Sequence, residues 1–137
     1  MSELYKGIYS NWSDERFNKL QDVFEIDIKR NVNRLSKGMK RQVAFWLALS
    51  ARPNLLILDE PLDGLDPVMR RKVLNLMMQD VADNGLTVMI SSHNLRELED
   101  ICDHVGILNK GKLMLQRKLD DMKSATHKIQ VAFNGGM

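Results

Sequence analysis

The sequence predicts an α/β protein with a mostly parallel sheet, preceded by an all-helical region. Three observations lead there. The run Leu55-Leu56-Ile57-Leu58 is short for a helix and suits a strand buried on both faces. Two further apolar runs, residues 86–90 and 105–108, alternate with helical patterns, as parallel βαβ units require. Helical periodicity dominates the chain before residue 54.

The elements follow in order. Leu4, Tyr5, Ile8, Tyr9 and Trp12 recur at helical spacing and predict an amphipathic helix over residues 2–11, its aromatic stripe serving core packing or, alternatively, partner docking. Ser13 is a good N-cap, with Asp14 and Glu15 in the favoured first turn of a second helix whose inner face carries Phe17, Leu20, Val23 and Phe24. Residues 25–34 read as a linker or distorted turn. Residues 35–39 open a third helix, with Val43, Trp46, Leu47, Ser50 and Ala51 inward and Lys40 and Arg41 exposed; Arg52-Pro53-Asn54 breaks it. After the strand and the loop Leu62-Asp63-Gly64-Leu65-Asp66, Asp66 is an N-cap candidate with Pro67 at the first helical position. Leu74, Met77, Met78 and Val81 predict that helix's buried stripe, and Asn84-Gly85 a left-handed end. Leu95, Leu98 and Cys102 line a short helix after the second strand. Asn109-Lys110-Gly111 turns the third strand into a hairpin. Residues 118–123 suit another helical turn and residues 128–133 an extra strand; no internal repeat or low-complexity segment is visible.

Composition bounds the function. With 137 residues, 44% hydrophobic and 28% charged, the chain suits one domain or part of one and can bury a core. A net charge of +2 is too mild to argue for nucleic acid. The single cysteine, Cys102, excludes an internal disulfide and fits helix core better than a nucleophile. The longest apolar run, residues 43–49, falls far short of a bilayer span, and the N-terminus lacks a signal-peptide pattern. The expectation is a soluble chain whose membrane role, if any, comes through a partner.

The chemistry centres on Asp59-Glu60-Pro61. Two carboxylates at the carboxyl end of a buried strand are costly unless they have work to do, and that edge is where open α/β sheets bind ligands. Nucleotide hydrolysis needs this pair: one carboxylate for Mg²⁺, usually through water, and one to orient or deprotonate the attacking water. A polar turn that merely ends a strand is the alternative for the motif alone. On an extended strand end the two side chains point to opposite faces and divide these jobs.

The order of residues 35–39 (Leu-Ser-Lys-Gly-Met), residues 55–60, Gly64-Leu65-Asp66 and His93 resembles the ATP-binding cassette (ABC) ATPases. In that family these pieces are the signature loop, the Walker B strand, the D-loop and the switch histidine, in this order and at about this spacing. The resemblance covers most of the chain, and residues 94–99 with 103–111 resemble the transporter branch. It implies the C-terminal portion of a P-loop NTPase sheet with flanking helices, preceded by part of the helical signature subdomain. Residues 1–53 would be that partial subdomain, 54–117 the second half of the ATPase core and 118–137 a C-terminal extension.

The resemblance also implies roles. Asp59 would hold Mg²⁺ through water and Glu60 would be the general base; solvated strand-end carboxylates are the alternative. Ser36, Lys37 and Gly38 sit at a helix N-terminus, where free N–H groups favour phosphate, and would contact the γ-phosphate of ATP bound to the opposite subunit. Ser36 as an N-cap is compatible with that role. Asp66 would meet the partner's site, cap the next helix, or both. His93 would hydrogen-bond the γ-phosphate, with a structural role as the alternative; His104 and His127 read as structural. The implied cofactors are ATP and Mg²⁺. The implied partners are a second cassette ATPase subunit, as homo- or heterodimer, and a transmembrane permease, with no nucleic acid. The implied place is cytoplasmic, at the inner face of the membrane through the permease.

Departures matter. The signature usually reads Leu-Ser-Gly-Gly-Gln; here Lys37 adds a cation compatible with phosphate and Met39 removes a polar contact. No G-x-x-x-x-G-K-[ST] loop occurs in the chain, nor the adenine-stacking aromatic and the glutamine loop of the family. The expectation is the C-terminal part of a cassette, with an exposed sheet edge or apolar patch where the other half would pack. Two functions compete: part of a transport ATPase, or a truncated, non-hydrolysing module that dimerises and lends its signature loop in trans. A DNA- or ribosome-associated ATPase is a third and weaker one; the absence of long coiled-coil heptads argues against the DNA-repair type.

Overall fold

The computed structural model describes residues 1–125. Met1–His93 forms one compact unit and the described residues from Asn94 onward a second. The first unit contains α1 (Ser2–Ile8), α2 (Asp14–Phe24), a 3₁₀ turn (Val32–Arg34), α3 (Lys37–Ser50), β1 (Leu55–Asp59), α4 (Pro67–Asn84) and β2 (Thr87–Ser91). The second contains α5 (Leu95–Leu98), β3 (His104–Asn109), β4 (Lys112–Lys118) and α6 (Leu119–Ala125). The strand expected over residues 128–133 and His127 lie outside the described residues.

Capping chemistry sets the helix ends. The Ser13 hydroxyl accepts from the Arg16 N–H at 3.1 Å and starts α2. The Asp66 carboxylate accepts from Val68 and Met69 N–H, both at 3.0 Å, and Pro67 follows at the first helical position. Such a cap contributes about 1 kcal/mol. Gly85, at φ 67°, closes α4 in the left-handed conformation. α1 is shorter than expected because Tyr9 turns extended. No α1 residue is buried. Its aromatic stripe forms a ladder instead: Tyr5–Trp12, Trp12–Phe17 and Phe17–Trp46, the last stacked with centroids 4.5 Å apart.

The core of this unit lies where α2 meets α3. Leu20, Phe24, Phe45, Trp46, Leu47 and Leu49 are all buried. The Trp46 indole donates to the Phe17 carbonyl at 2.7 Å and Ser13 N–H to the Ser50 carbonyl at 2.9 Å, so the start of α2 packs on the end of α3. The buried stripe of α4 is Val73, Met77 and Asp80, while Met78 and Val81 are exposed. This is one helical face, displaced from the expected one because Asp80 is drawn inward by an ion pair with Arg16 of α2. The Asn84 amide also donates to Asp80, at 3.1 Å.

β1 and β2 pair in parallel through five residue pairs, from Leu55↔Thr87 to Asp59↔Ser91, with α4 as the crossover. The expectation of a strand buried on both faces is not met. Leu56 is buried, but Leu55, Ile57 and Met89 are 54%, 68% and 62% exposed. Odd-numbered residues of both strands share one face, and nothing among the described residues of this unit covers it. That open face is the expected apolar patch. β3 and β4 do not extend this parallel pair; they form a separate antiparallel hairpin with a register shift at Ile107/Leu108. Lys110 and Gly111, at φ 49° and 73°, make its two-residue turn.

The open face generates a prediction. Three adjacent exposed apolar side chains on a two-stranded sheet drive self-association of the chain. Ile57→Lys places a charge at their centre and shifts the sedimenting species toward monomer. A wild-type chain that is already monomeric at high concentration shows that the face is not sticky.

Candidate functional site

The two parallel strands end on the same rung, and this brings the candidate residues together. Asp59 and Ser91 are register partners, and the Ser91 hydroxyl donates to the Asp59 carboxylate. Beyond the rung the chains turn. Glu60 leaves the strand with φ 43°, a left-handed conformation rarely adopted by glutamate. Its N–H is held by the Ser91 carbonyl at 3.1 Å and the Ser91 hydroxyl at 3.2 Å. The Glu60 carboxylate then meets His93, with Oε2 3.0 Å from Nδ1. Asp59 and Glu60 therefore engage different partners, but through a backbone turn at Glu60 rather than through strand alternation.

A second cluster forms at the start of α3. The Ser36 hydroxyl accepts from the Met39 N–H at 3.2 Å and caps the helix. Gly38 packs against the loop before α4: a Cβ there would lie 2.6 Å from the Gly64 carbonyl oxygen. Gly64 itself has φ 76° and lies against the Lys37 side-chain stem. The Lys37 ammonium is 3.7 Å from the Asp63 carboxylate, an exposed pair worth little in stability. Asp66 is committed to capping α4 and sits at the far end of the same loop.

Arg41 joins the clusters. Its guanidinium donates to the Glu60 carbonyl, which also accepts from the Asp63 N–H at 3.3 Å. The sequence pattern places Arg41 on the exposed side of α3; the structure half-buries it against the carboxylate turn. Its spacing of four residues from Lys37 puts both on one helix face and is the signal that could have found it. Ser91 and Asp63 are also unforeseen, since their roles depend on strand register and loop packing.

The donor set can be weighed against Mg²⁺. The described residues contain no group of three or more His, Cys, Asp or Glu side chains able to hold a metal. The exposed Asp59 carboxylate beside a serine hydroxyl fits the mode in which Mg²⁺ keeps its waters and takes one carboxylate, with substrate phosphates completing the shell. Cys102, in the second unit, is half-buried; desolvation pushes its thiol up, and Asp103 adds to the rise, so it is poorly suited to nucleophilic work. No helix among the described residues is long and apolar enough to cross a membrane.

The approach of Gly38 to Gly64 is testable. Alanine is the better helix former by about 1 kcal/mol, so an isolated helix would gain from Gly38→Ala. Here the added Cβ strikes a backbone carbonyl, and the expected result is a net loss of roughly 1–3 kcal/mol in chemical denaturation. A stabilised variant shows that the two loops separate freely.

Comparison with known proteins follows this geometry. A family model described as "AAA domain, putative AbiEii toxin, Type IV TA system" matches residues 5–99. The chain is 36% identical over 132 residues to the ABC transporter ATP-binding protein YtrB of Bacillus subtilis, covering 96% of this chain and 45% of that protein. It is 38% identical over 116 residues to the bacitracin transport ATP-binding protein BcrA of Bacillus licheniformis, covering 81% and 38%. The chain thus spans less than half the length of these relatives. Among solved structures, an ATP-binding subunit of an ABC transporter superposes with a TM-score of 0.81 at 29% identity, covering 90% of this chain and 53% of that one. A dimeric bacterial ABC transporter cassette superposes at 0.67 and 23% identity, over 77% and 46%, a likeness of fold. The chain belongs to this AAA-domain family, is similar to ABC transporter ATP-binding proteins and has the α/β fold of P-loop NTPases.

Proposed function

We propose that this chain supplies the signature loop, Walker B strand, D-loop and switch histidine of an ATP-hydrolysing subunit that powers transport through a membrane permease. The observation that carries it is the meeting of Asp59, Glu60 and His93 at the shared carboxyl edge of β1 and β2. That edge is the ligand-binding edge of an open parallel sheet. Residues 1–53 then act as part of the helical subdomain, 54–117 as the second half of the core and 118–137 as an extension. A dimer is supported by the likeness to cassettes solved as dimers, one of them with ADP and phosphate. Attachment to the cytoplasmic face of a membrane through the permease belongs to the same reading.

Each residue has work in this scheme. The Glu60 carboxylate, held through Oε2 by the His93 N–H, offers its other oxygen to the attacking water and accepts its proton. Mg²⁺, when bound, supplies charge neutralisation on the phosphates. Asp59, oriented by Ser91, holds the metal's waters. His93 stands beside the base, where it can hydrogen-bond the γ-phosphate. Ser36, Lys37 and Gly38 present the N-terminus of α3 and a cation to the nucleotide on the partner subunit. Asp66 braces the loop that faces that partner.

A second reading is favoured by one observation: the 137 residues contain no phosphate-binding G-x-x-x-x-G-K-[ST] loop. The chain would then lend its signature loop in trans without hydrolysing ATP. Calorimetry on the chain alone is expected to show MgATP binding weaker than micromolar, because the backbone N–H cradle and lysine are lacking. Micromolar affinity overturns this expectation.

The division of labour is tested in the assembly that carries this chain together with a phosphate-binding loop. Glu60→Gln keeps shape and hydrogen bonding, leaves ATP binding intact and lowers turnover roughly 10²-fold or more. Asp59→Asn instead weakens Mg²⁺-dependent nucleotide binding. Wild-type turnover in Glu60→Gln removes Glu60 as the base.

A further inference from the structure

A cavity of about 400 Å³ opens at the edge of the sheet opposite the carboxylates, lined by Trp12, Arg16, Arg52, Asn54, Asp80 and Asn84 among others. Asn54 immediately precedes β1, so this cavity lies at the amino ends of the parallel strands. Five-residue strands rise about 3.3 Å per residue, which puts it about 16 Å from Asp59 and Glu60. It is therefore separate from the nucleotide edge, and its size falls in the range of small-molecule sites.

Its charges do not balance internally. Arg16 is matched by buried Asp80, which also accepts from the Asn84 amide. Arg52 has no carboxylate within ion-pair distance among the described residues. Its guanidinium makes one long contact, 3.3 Å, to the neutral Asn84 amide oxygen. The other donors of its fork are left to the cavity, beside the side-chain amide of Asn54, which makes no hydrogen bond among the described residues. Arg52, at φ 48°, is the left-handed residue that ends α3.

We propose that this cleft is a second binding site, for a small oxyanion-bearing molecule (phosphate or carboxylate), with Arg52 as its anchor, Asn54 and Asn84 as its polar contacts, and Trp12 as one wall. Arg16 and Asp80 form the neutral floor that fixes Asn84. The Arg52 guanidinium, whose charge also reaches the Glu15 carboxylate of α2, would select one anionic group.

The chain's two tryptophans make the test direct. Trp12 lines the cavity, whereas Trp46 is buried and bonded to Phe17. Inorganic phosphate and succinate are titrated separately into the chain at constant ionic strength, and the two indole N–H resonances are followed. A saturable shift of the Trp12 resonance, with Trp46 unmoved, is expected with at least one anion; which anion acts assigns the phosphoryl or carboxylate class. Arg52→Gln should weaken binding at least tenfold. Arg52→Gly should abolish it while raising the unfolding midpoint, since glycine accepts the positive φ. Arg71→Gln, an exposed charge on α4, should change nothing. Absence of a saturable Trp12 shift with either anion, or equal weakening by Arg71→Gln, overturns the proposal.

Discussion

The parallel register of β1 against β2 is the constraint on which the rest depends. Both strands end on the rung that pairs Asp59 with Ser91, so the residues that follow each strand leave the same edge together. Glu60 and His93, 33 positions apart in the chain, reach hydrogen-bond distance for that reason. A slip of one residue would exchange the faces of the slipped strand and separate them. The crossover α4 holds the register: Asp66 and Pro67 fix where it starts, and Gly85 where it ends. Neither end has freedom to lengthen or shorten the connection.

A second close contact ties the start of α3 to this edge. The carbonyl of Gly64 occupies the space that any side chain at position 38 would need, so the start of α3 and the loop before α4 are one packed object. Arg41 extends the connection to the Glu60 backbone, and the Glu60 carbonyl receives both Arg41 and the Asp63 N–H. The first turns of α3 are thereby hydrogen-bonded, through Arg41, to the backbone of the candidate base. Lys37, which departs from the usual signature, lays its stem on Gly64 and its ammonium toward Asp63. An exposed pair this long is easily exchanged, which leaves the cation available to a phosphate.

Elsewhere the unit is held by one buried ion pair and left open on one face. Arg16 and Asp80 join the helical N-terminal segment to α4; removing one partner of such a pair costs on the order of several kcal/mol, because the other is left charged and buried. The same pair sets the rotation of α4, turning Met78 and Val81 outward. On the other side Leu55, Ile57 and Met89 face solvent. A strand whose composition suits burial on two faces finds only one covering layer in this chain, consistent with its spanning less than half of its relatives.

The sequence alone determined the local structure and the chemical inventory. Caps at Ser13, Ser36 and Asp66, the glycine end at Gly85 and the hairpin turn at Lys110-Gly111 all rest on side-chain and backbone preferences acting within a few residues, and all are where the sequence placed them. The resemblance to ABC transporter ATP-binding proteins was likewise legible. Tertiary structure decided what those preferences cannot reach. It chose which face of α4 is buried, because the Arg16–Asp80 attraction spans 64 positions. It turned Glu60 out of the strand, because Ser91 and Arg41 capture its backbone from two other elements. It left β1 half-bare and kept β3 out of the parallel pair, because pairing and burial depend on which surfaces are present to meet them.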